Sequence, residues 1–246
     1  MALDPRISAQ GRTIDRATAA DIDAGLRSYM LRVYNYMGLG VAFTGVVVLF
    51  MANSPQLMYT LAVGPIKWVL FIGVIGMGWF SSRILTMRST VAAQAYYWVY
   101  CALWGVMISP MVYYFMQTDQ GIADLARAFF ITAGMFAGAS FFGYTTKKDL
   151  SPFATFFLMA VIGLLIAMLV NAFLVQSTMF SLGISALVVL VFAGITAFET
   201  QMVKSMYFEA PAEMHNRMAI FGALGLYGSF VVMFIHILNI IGIMRE

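Results

Sequence analysis

Charged residues are scarce in this chain of 246 residues, of which only 10% are Asp, Glu, Lys or Arg. Soluble domains carry about 25% charged residues, so the scarcity excludes an ordinary soluble globular protein. Apolar residues take their place: 62% of the chain is hydrophobic, and the mean hydropathy is +0.87. This composition predicts a multi-pass membrane protein whose first partner is the lipid bilayer.

Cysteine is nearly absent as well, because Cys101 is the only one. A single thiol cannot form an intramolecular disulfide or supply a zinc cluster built on thiolates. We therefore expect no bound cofactor. The net charge of +3 could suggest an anionic partner, but membrane topology explains the basic excess better, so we expect no nucleic-acid partner.

Long apolar runs divide the chain into seven segments that can each cross a bilayer. They cover residues 31–52, 67–87, 91–115, 125–144, 153–175, 179–203 and 218–243, whereas residues 58–63 are apolar but too few to cross. The sequence thus predicts an all-α membrane protein with seven transmembrane helices. Residues 1–30 are expected to form a cytoplasmic N-terminal tail, and residues 31–246 the transmembrane domain.

Two segments carry further expectations about packing. The fourth contains Gly134 and Gly138 in a GxxxG pattern, which predicts close approach of a neighbouring helix. The fifth is the most uniformly apolar, so we expect it to lie against lipid.

Basic residues predict how the chain is inserted, since cytoplasmic loops carry more Lys and Arg. If the N-terminus is cytoplasmic, that side receives Arg6, Arg12, Arg16, Arg27, Arg32, Arg83, Arg88, Lys147, Lys148, Lys204 and Arg217. The other side receives only Lys67, Arg127 and Arg245. We expect a protein of the cell (inner) membrane, with its N-terminus cytoplasmic and its C-terminus extracytoplasmic.

Glu199 is an acidic residue inside the sixth apolar segment, in the run Thr196-Ala197-Phe198-Glu199-Thr200-Gln201. A charged group at mid-bilayer costs from roughly 3 to more than 10 kcal/mol unless it faces protein or water. Such a residue indicates a functional site by default. We expect Glu199 to face the interior of the helix bundle.

The last segment offers a polar face towards which Glu199 could point. Gly222, Gly225, Ser229, His236 and Asn239 fall close to one side of that helix. This face predicts a position inside the bundle, with the glycines admitting another helix. A structural interpretation stays open, in which Ser229 and Asn239 only hydrogen-bond to neighbouring helices and His236 is either a structural donor or a proton-linked group.

An intramembrane enzyme is disfavoured by the same residues. Ser229 and His236 superficially resemble a catalytic pair, but seven residues along one helix separate them by about 10 Å. Proton transfer requires about 3 Å. The last segment also contains no lysine that could bind retinal as a Schiff base.

Three motifs, in order along the chain, resemble those of a known family. They are Gly143-Tyr144-Thr145-Thr146-Lys147-Lys148-Asp149-Leu150-Ser151, the run around Glu199, and Ala223-Leu224-Gly225-Leu226-Tyr227-Gly228-Ser229-Phe230. In these motifs the chain is similar to the transmembrane Bax-inhibitor-motif (Bax inhibitor or YccA-like) family, in its bacterial seven-helix branch. The resemblance implies a central last helix wrapped by the other six, and activity as a pH-sensitive calcium leak.

The resemblance also implies roles for individual residues. The family's leak is attributed to an aspartate in the sixth helix and another in the seventh, with an arginine at the end of the second helix that can latch the pore shut. Glu199 matches the first acid and Arg83 the latch, while Ser229 stands in place of the second acid. A single carboxylate lacks the like-charge interaction that gives a steep pH switch, and it makes a weak calcium site.

Two functions follow from these observations. The first is a cation leak for calcium or protons, with Glu199 as pH gate and metal-binding residue and with Arg83, Ser229 and His236 beside the pathway. Protonation of Glu199 would then release Arg83 and shift the closed and open populations. The alternative is a regulator that binds a membrane-anchored AAA protease or another stress-response membrane protein.

Overall fold

A computed structural model describes the backbone of residues 5–87 and 89–245, and the side chains of residues 22–87 and 89–245. The chain forms helices throughout this part, and no strand occurs in it. The α-helices are α1 (Pro5–Ala52), α2 (Pro55–Met58), α3 (Ile66–Trp79), α4 (Arg83–Thr86), α5 (Thr90–Met116), α6 (Gly121–Thr145), α7 (Ala154–Val170), α8 (Thr178–Glu209) and α9 (His215–Ile243). The side chains of Arg6, Arg12, Arg16 and Arg88, which entered the orientation argument, lie outside the described residues.

Six unbroken helical segments are long and apolar enough to cross a membrane. They are Ile22–Ala52, Thr90–Met116, Gly121–Thr145, Ser151–Val175, Thr178–Glu209 and Ala212–Ile243. A bent pair of shorter helical segments makes the seventh crossing when it is counted as one span. The predicted all-α membrane fold is confirmed.

The second crossing differs from the single helix predicted over residues 67–87. It is built from Pro55–Val63 and Ile66–Trp79, which meet at an angle of 66°. Pro65 disfavours helical backbone in the residue before it, and Gly64 is extended there with ψ −176°. The helix then ends at Trp79, so Arg83 begins a separate four-residue helix instead of completing the crossing.

Helix α9 lies at the centre of the bundle, as the resemblance implied. In its most apolar 18-residue window 67% of the residues are buried, compared with 22–33% in four of the other unbroken spans. It packs against α1, α3, α4, α5, α6 and α8. A helix surrounded in this way can carry polar residues without exposing them to lipid.

Helix α7 lies at the periphery and packs mainly on α8. No residue of its most apolar window is buried, and the mean hydropathy of that window is 2.7. The prediction that this segment lies against lipid is therefore supported. Its apolar surface is what the hydrocarbon core of a bilayer accommodates.

Helix α1 continues through the predicted boundary between residues 30 and 31. Leu26, Tyr29 and Met30 are already part of the buried core. Packing thus begins within the stretch assigned to the tail.

The GxxxG prediction is wrong in its location. A methyl group added at Gly134 or Gly138 would meet nothing within 4 Å, so no helix approaches there. The close approach occurs five residues later, where a methyl group on Gly143 would lie 2.1 Å from the backbone oxygen of Ala197. Helices α6 and α8 are therefore in backbone contact at Gly143.

We expect Gly143→Ala to destabilise the protein by about 1–3 kcal/mol, because the backbone of α8 would have to move. Gly138→Ala is the matched control on the same helix. It should be neutral or slightly stabilising, since Ala is a better helix former than Gly and the space is open. Thermal unfolding in detergent measures both. Equal melting temperatures for the two variants would contradict the contact between α6 and α8.

Candidate functional site

Glu199 lies on α8 and turns its side chain towards α9, where it is partly buried. Its Oε2 atom accepts a hydrogen bond of 2.7 Å from the Oγ atom of Ser229. Ser229 is 3% exposed, so this contact lies inside the bundle. The prediction that Glu199 faces the last helix is confirmed by this geometry.

Two glycines of α9 make room for α8. A methyl group at Gly225 would lie 3.0 Å from Oε1 of Glu199, and one at Gly222 would lie 2.6 Å from the Val203 side chain. The carboxylate thus rests against the α9 backbone at Gly225 and bonds one turn later to Ser229. We call Glu199, Gly225 and Ser229 the carboxyl site.

Hydroxyl groups brace the turn of α8 that carries Glu199. Thr200 is fully buried and donates to the backbone oxygen of Thr196 at 2.8 Å. Its Oγ1 atom lies 2.9 Å from Oγ of Ser140 on α6, and that oxygen lies 2.5 Å from the hydroxyl oxygen of Tyr34 on α1. A chain of hydrogen bonds therefore links three helices directly beside the carboxyl site.

The loop after α6 is hydrogen-bonded to α8 two residues beyond Glu199. Gln201 donates to the backbone oxygen of Lys148 and accepts from the backbone N–H of Leu150, both at 2.8 Å. In the same loop the backbone N–H of Ser151 bonds to Asp149 and lowers the pKa of its carboxyl group. Together with the Gly143 contact, these bonds join the first two motifs of the sequence, and the hydrogen bond between Ser229 and Glu199 joins the third motif to them.

Arg83 is not part of the carboxyl site in this structure. Its side chain is exposed, and its guanidinium carbon lies 5.5 Å from the centre of the Phe80 ring. Among the described residues Glu199 forms no ion pair. The latch contact expected from the resemblance is therefore not made in this arrangement of α4.

His236 and Asn239 also face α8, but further along the bundle. The Nδ1 atom of His236 lies 3.0 Å from Oγ of Ser185, and Nδ2 of Asn239 donates to the same oxygen at 2.9 Å. Asn239 also donates to Ser181 at 3.2 Å. We call these four residues the polar seam. The predicted polar face of α9 thus meets one helix, α8, along its whole length.

Asp124 is a buried carboxyl group that the sequence analysis missed. It lies in the first turn of α6 and is 1% exposed. Arg127 bonds to Oδ1 at 2.9 Å, while Arg245 approaches Oδ2 to 2.5 Å as an ion pair without the angle of a hydrogen bond. The spacing of Asp124 and Arg127, three residues apart on one helix, was a signal for the first contact. No pattern in the sequence near Asp124 indicates the second contact, because Arg245 lies far along the chain.

Metal ligands do not cluster in the described part of the chain. Within it, no three His, Cys, Asp or Glu side chains stand close enough to hold an ion together. The oxygen atoms at the carboxyl site come from one carboxylate and one hydroxyl group. Glu199 is therefore the single anionic ligand that this site offers to a cation.

Comparison with known proteins gives a match over most of the chain. A profile of the family described as inhibitor of apoptosis-promoting Bax1 matches residues 26–246. An uncharacterized protein of Rickettsia prowazekii is 33% identical over 225 residues, which are 91% of this chain and 93% of the relative. Inner membrane protein YbhL of Escherichia coli is 33% identical over 223 residues, or 89% of this chain and 93% of the relative. The profile begins at Leu26, which is a residue of the buried core.

We expect Asp124→Asn to destabilise the protein by about 1.5–3 kcal/mol, because the hydrogen bond from Arg127 loses its charge assistance and the ion pair with Arg245 is lost at a buried position. Arg127→Ala should cost less than about 1 kcal/mol, since that side chain is 63% exposed. Thermal unfolding in detergent ranks the two. A larger loss for Arg127→Ala than for Asp124→Asn would contradict the assigned pairing.

Proposed function

This chain belongs to the Bax inhibitor family, and from that membership we propose that it is a pH-sensitive cation leak with calcium as the transported ion and Glu199 as its gate. The proposal rests on one observation above all. A carboxyl group sits inside a membrane helix bundle, and its hydrogen-bond partner is a neutral hydroxyl group at 2.7 Å.

The pH sensitivity follows from what protonation does to a carboxyl group at this place. An unpaired charge in a membrane interior is expensive, whereas the neutral acid is not. Gain or loss of one proton therefore changes the relative free energies of conformations that expose Glu199 to different surroundings. Because Ser229 donates to Glu199, the two helices that would separate on opening are α8 and α9.

A weak cation site suits a leak. Calcium prefers six to eight oxygen ligands, several of them anionic. The carboxyl site offers only Glu199 and the hydroxyl group of Ser229. Release of calcium from it would therefore cost little free energy. Conduction requires binding of this kind, favourable enough for entry and weak enough for exit.

Arg83 takes part in this proposal only through a second conformation. Helix α4 has four residues, with breaks in the helix on both sides, and it packs against α9. A short helix with a break at each end can move as a rigid unit. Movement of α4 would carry Arg83 towards Glu199 and close the pathway.

The proposal includes no catalytic step. Ser229 donates to Glu199, and His236 bonds to Ser185, so the two side chains have different partners. For the cellular location we propose the inner membrane, which the name of the related YbhL protein states for that protein. The orientation proposed from the basic residues puts the carboxyl site nearer the cytoplasmic end of α8.

We predict that Glu199→Gln removes the pH dependence of calcium entry into proteoliposomes. Glutamine keeps the shape and can still accept a hydrogen bond from Ser229, but it exchanges no proton. Entry is measured between mildly acidic and neutral pH. Glu213→Gln, at an exposed position between α8 and α9, is the control and should keep the dependence of the parent protein. An unchanged pH profile in Glu199→Gln would rule out Glu199 as the gate.

Ser229→Asp should strengthen divalent-cation binding and make calcium entry depend more steeply on pH. The new carboxylate would lie in contact with Glu199, since the present hydroxyl is 2.7 Å away, and two such groups share protons. Ser229→Asn is the neutral control of the same shape. If the parent protein shows no calcium entry at any pH and Ser229→Asp gains none, the leak proposal is wrong and the regulator takes its place.

The regulator is supported by one feature, the long N-terminal part of α1. This helix begins at Pro5, and the stretch between Pro5 and Leu26 carries the charged residues Arg6, Arg12, Asp15, Arg16, Asp21 and Asp23. The intervening stretch could bind a membrane-anchored AAA protease or another membrane protein of the stress response. Removal of residues 1–16 should then weaken co-purification of such a partner and leave calcium entry intact. A collapse of calcium entry would instead assign this stretch to the pore.

A further inference from the structure

A cavity of about 430 Å³ opens at the end of the bundle where α9 ends. Its lining includes the polar side chains of Thr118, Asn239 and Arg245. The charge of Arg245 is balanced by its contact with Asp124 at 2.5 Å. We call this space the terminal cavity. The charge distribution of the chain predicts that it faces the extracytoplasmic side.

The polar seam leads inward from this cavity. Asn239 lines the cavity and also bonds to Ser181 and Ser185, and Ser185 in turn contacts His236. Ser185 is 1% exposed, so the seam reaches buried depth. Hydroxyl, amide and imidazole groups in such a row can bind water molecules in sequence.

The seam and the carboxyl site lie on the same faces of the same two helices. On α8, Ser185 and Ser181 precede Glu199 by fourteen and eighteen residues, which are about four and five helical turns. On α9, His236 follows Ser229 by seven residues, or about 10 Å. The two polar regions are therefore aligned along a single interface between α8 and α9.

Between the two polar regions these helix faces carry apolar residues apart from Thr196, whose hydroxyl group donates to the backbone oxygen of Phe192. Phe192 and Val188 precede Glu199 by two and three turns, and Val188 is fully buried. Val232 lies one turn from both Ser229 and His236. We call these three residues the apolar barrier. A short apolar constriction excludes water and can close a polar pathway by dewetting.

We propose that water and small hydrated cations enter from the terminal cavity, pass along the polar seam, and are stopped short of Glu199 by the apolar barrier. This inference rests on the proposed leak. It adds the entrance of the pathway and the place at which the closed pathway is blocked. It assigns Ser181, Ser185 and Asn239 to the pathway, and it gives Val188 the role of a side chain that blocks permeation.

The entrance is tested by thiol labelling, which requires no ion flux. Cys101, the single native cysteine, is fully buried and lies outside the polar seam, and labelling of the parent protein measures its background. Asn239→Cys and Ser185→Cys should react with a membrane-impermeant thiol reagent added from the side of the C-terminus. Leu187 is 54% exposed on the outer surface of α8 and faces lipid. Leu187→Cys should therefore not react. Equal labelling of all three, or of none, overturns the proposed entrance.

The barrier is tested by two adjacent substitutions of the same chemistry. Val188→Thr keeps the side-chain shape but adds a hydroxyl group between the two polar regions, so calcium entry into proteoliposomes should rise several-fold. Val189→Thr adds the same group to the next residue, which packs in a cluster with Phe115, Ala128, Ile237 and Leu238. It should leave calcium entry unchanged. Equal effects of the two variants would overturn the barrier.

The two tests separate this inference from the leak itself. Labelling of Asn239→Cys and Ser185→Cys without calcium entry in any variant supports a water-filled entrance but contradicts the leak. Calcium entry that depends on Glu199, with Asn239→Cys and Ser185→Cys unlabelled, supports the leak and overturns the entrance proposed here.

Discussion

A carboxyl group inside a membrane must have a protein partner, and this requirement organises the bundle around α9. Glu199 is accommodated because Ser229 donates a hydrogen bond and Gly225 leaves space for the carboxylate. Both partners lie on α9, so α9 must be shielded from lipid by the other helices. The burial of 67% of its most apolar window is the result.

The same requirement explains the other polar groups. Thr200 and Ser140 bond to each other between α8 and α6, and the residues of the polar seam bond across α8 and α9. Helix α7 contributes no buried residue to its crossing and can face lipid freely. Polar groups therefore mark the interior of the bundle more clearly than apolar ones, because a hydrocarbon surround does not penalise exposed apolar side chains.

Most crossings and the polar face of α9 could be predicted from the sequence, because hydropathy and helical spacing are local properties. The prediction failed where the outcome depended on a bend or a distant partner. Gly64 and Pro65 bend the second crossing by 66°, and the helix after the bend ends at Trp79, so Arg83 lies on a separate short helix. The small residues Gly134 and Gly138 have no neighbour, since a GxxxG pattern does not say which helix will face it. The pairing of Asp124 with Arg245 requires the folded bundle.

The hydrogen bond between Ser229 and Glu199 can be measured directly by infrared spectroscopy of the protein in lipid. Subtraction of the Glu199→Gln spectrum isolates the carboxyl bands of Glu199. We predict that these bands change with pH and that Ser229→Ala shifts their frequency, because one hydrogen bond to the carboxyl group is lost. Bands that do not respond to pH, or that are identical with and without the Ser229 hydroxyl, would contradict a titrating carboxyl group held between α8 and α9.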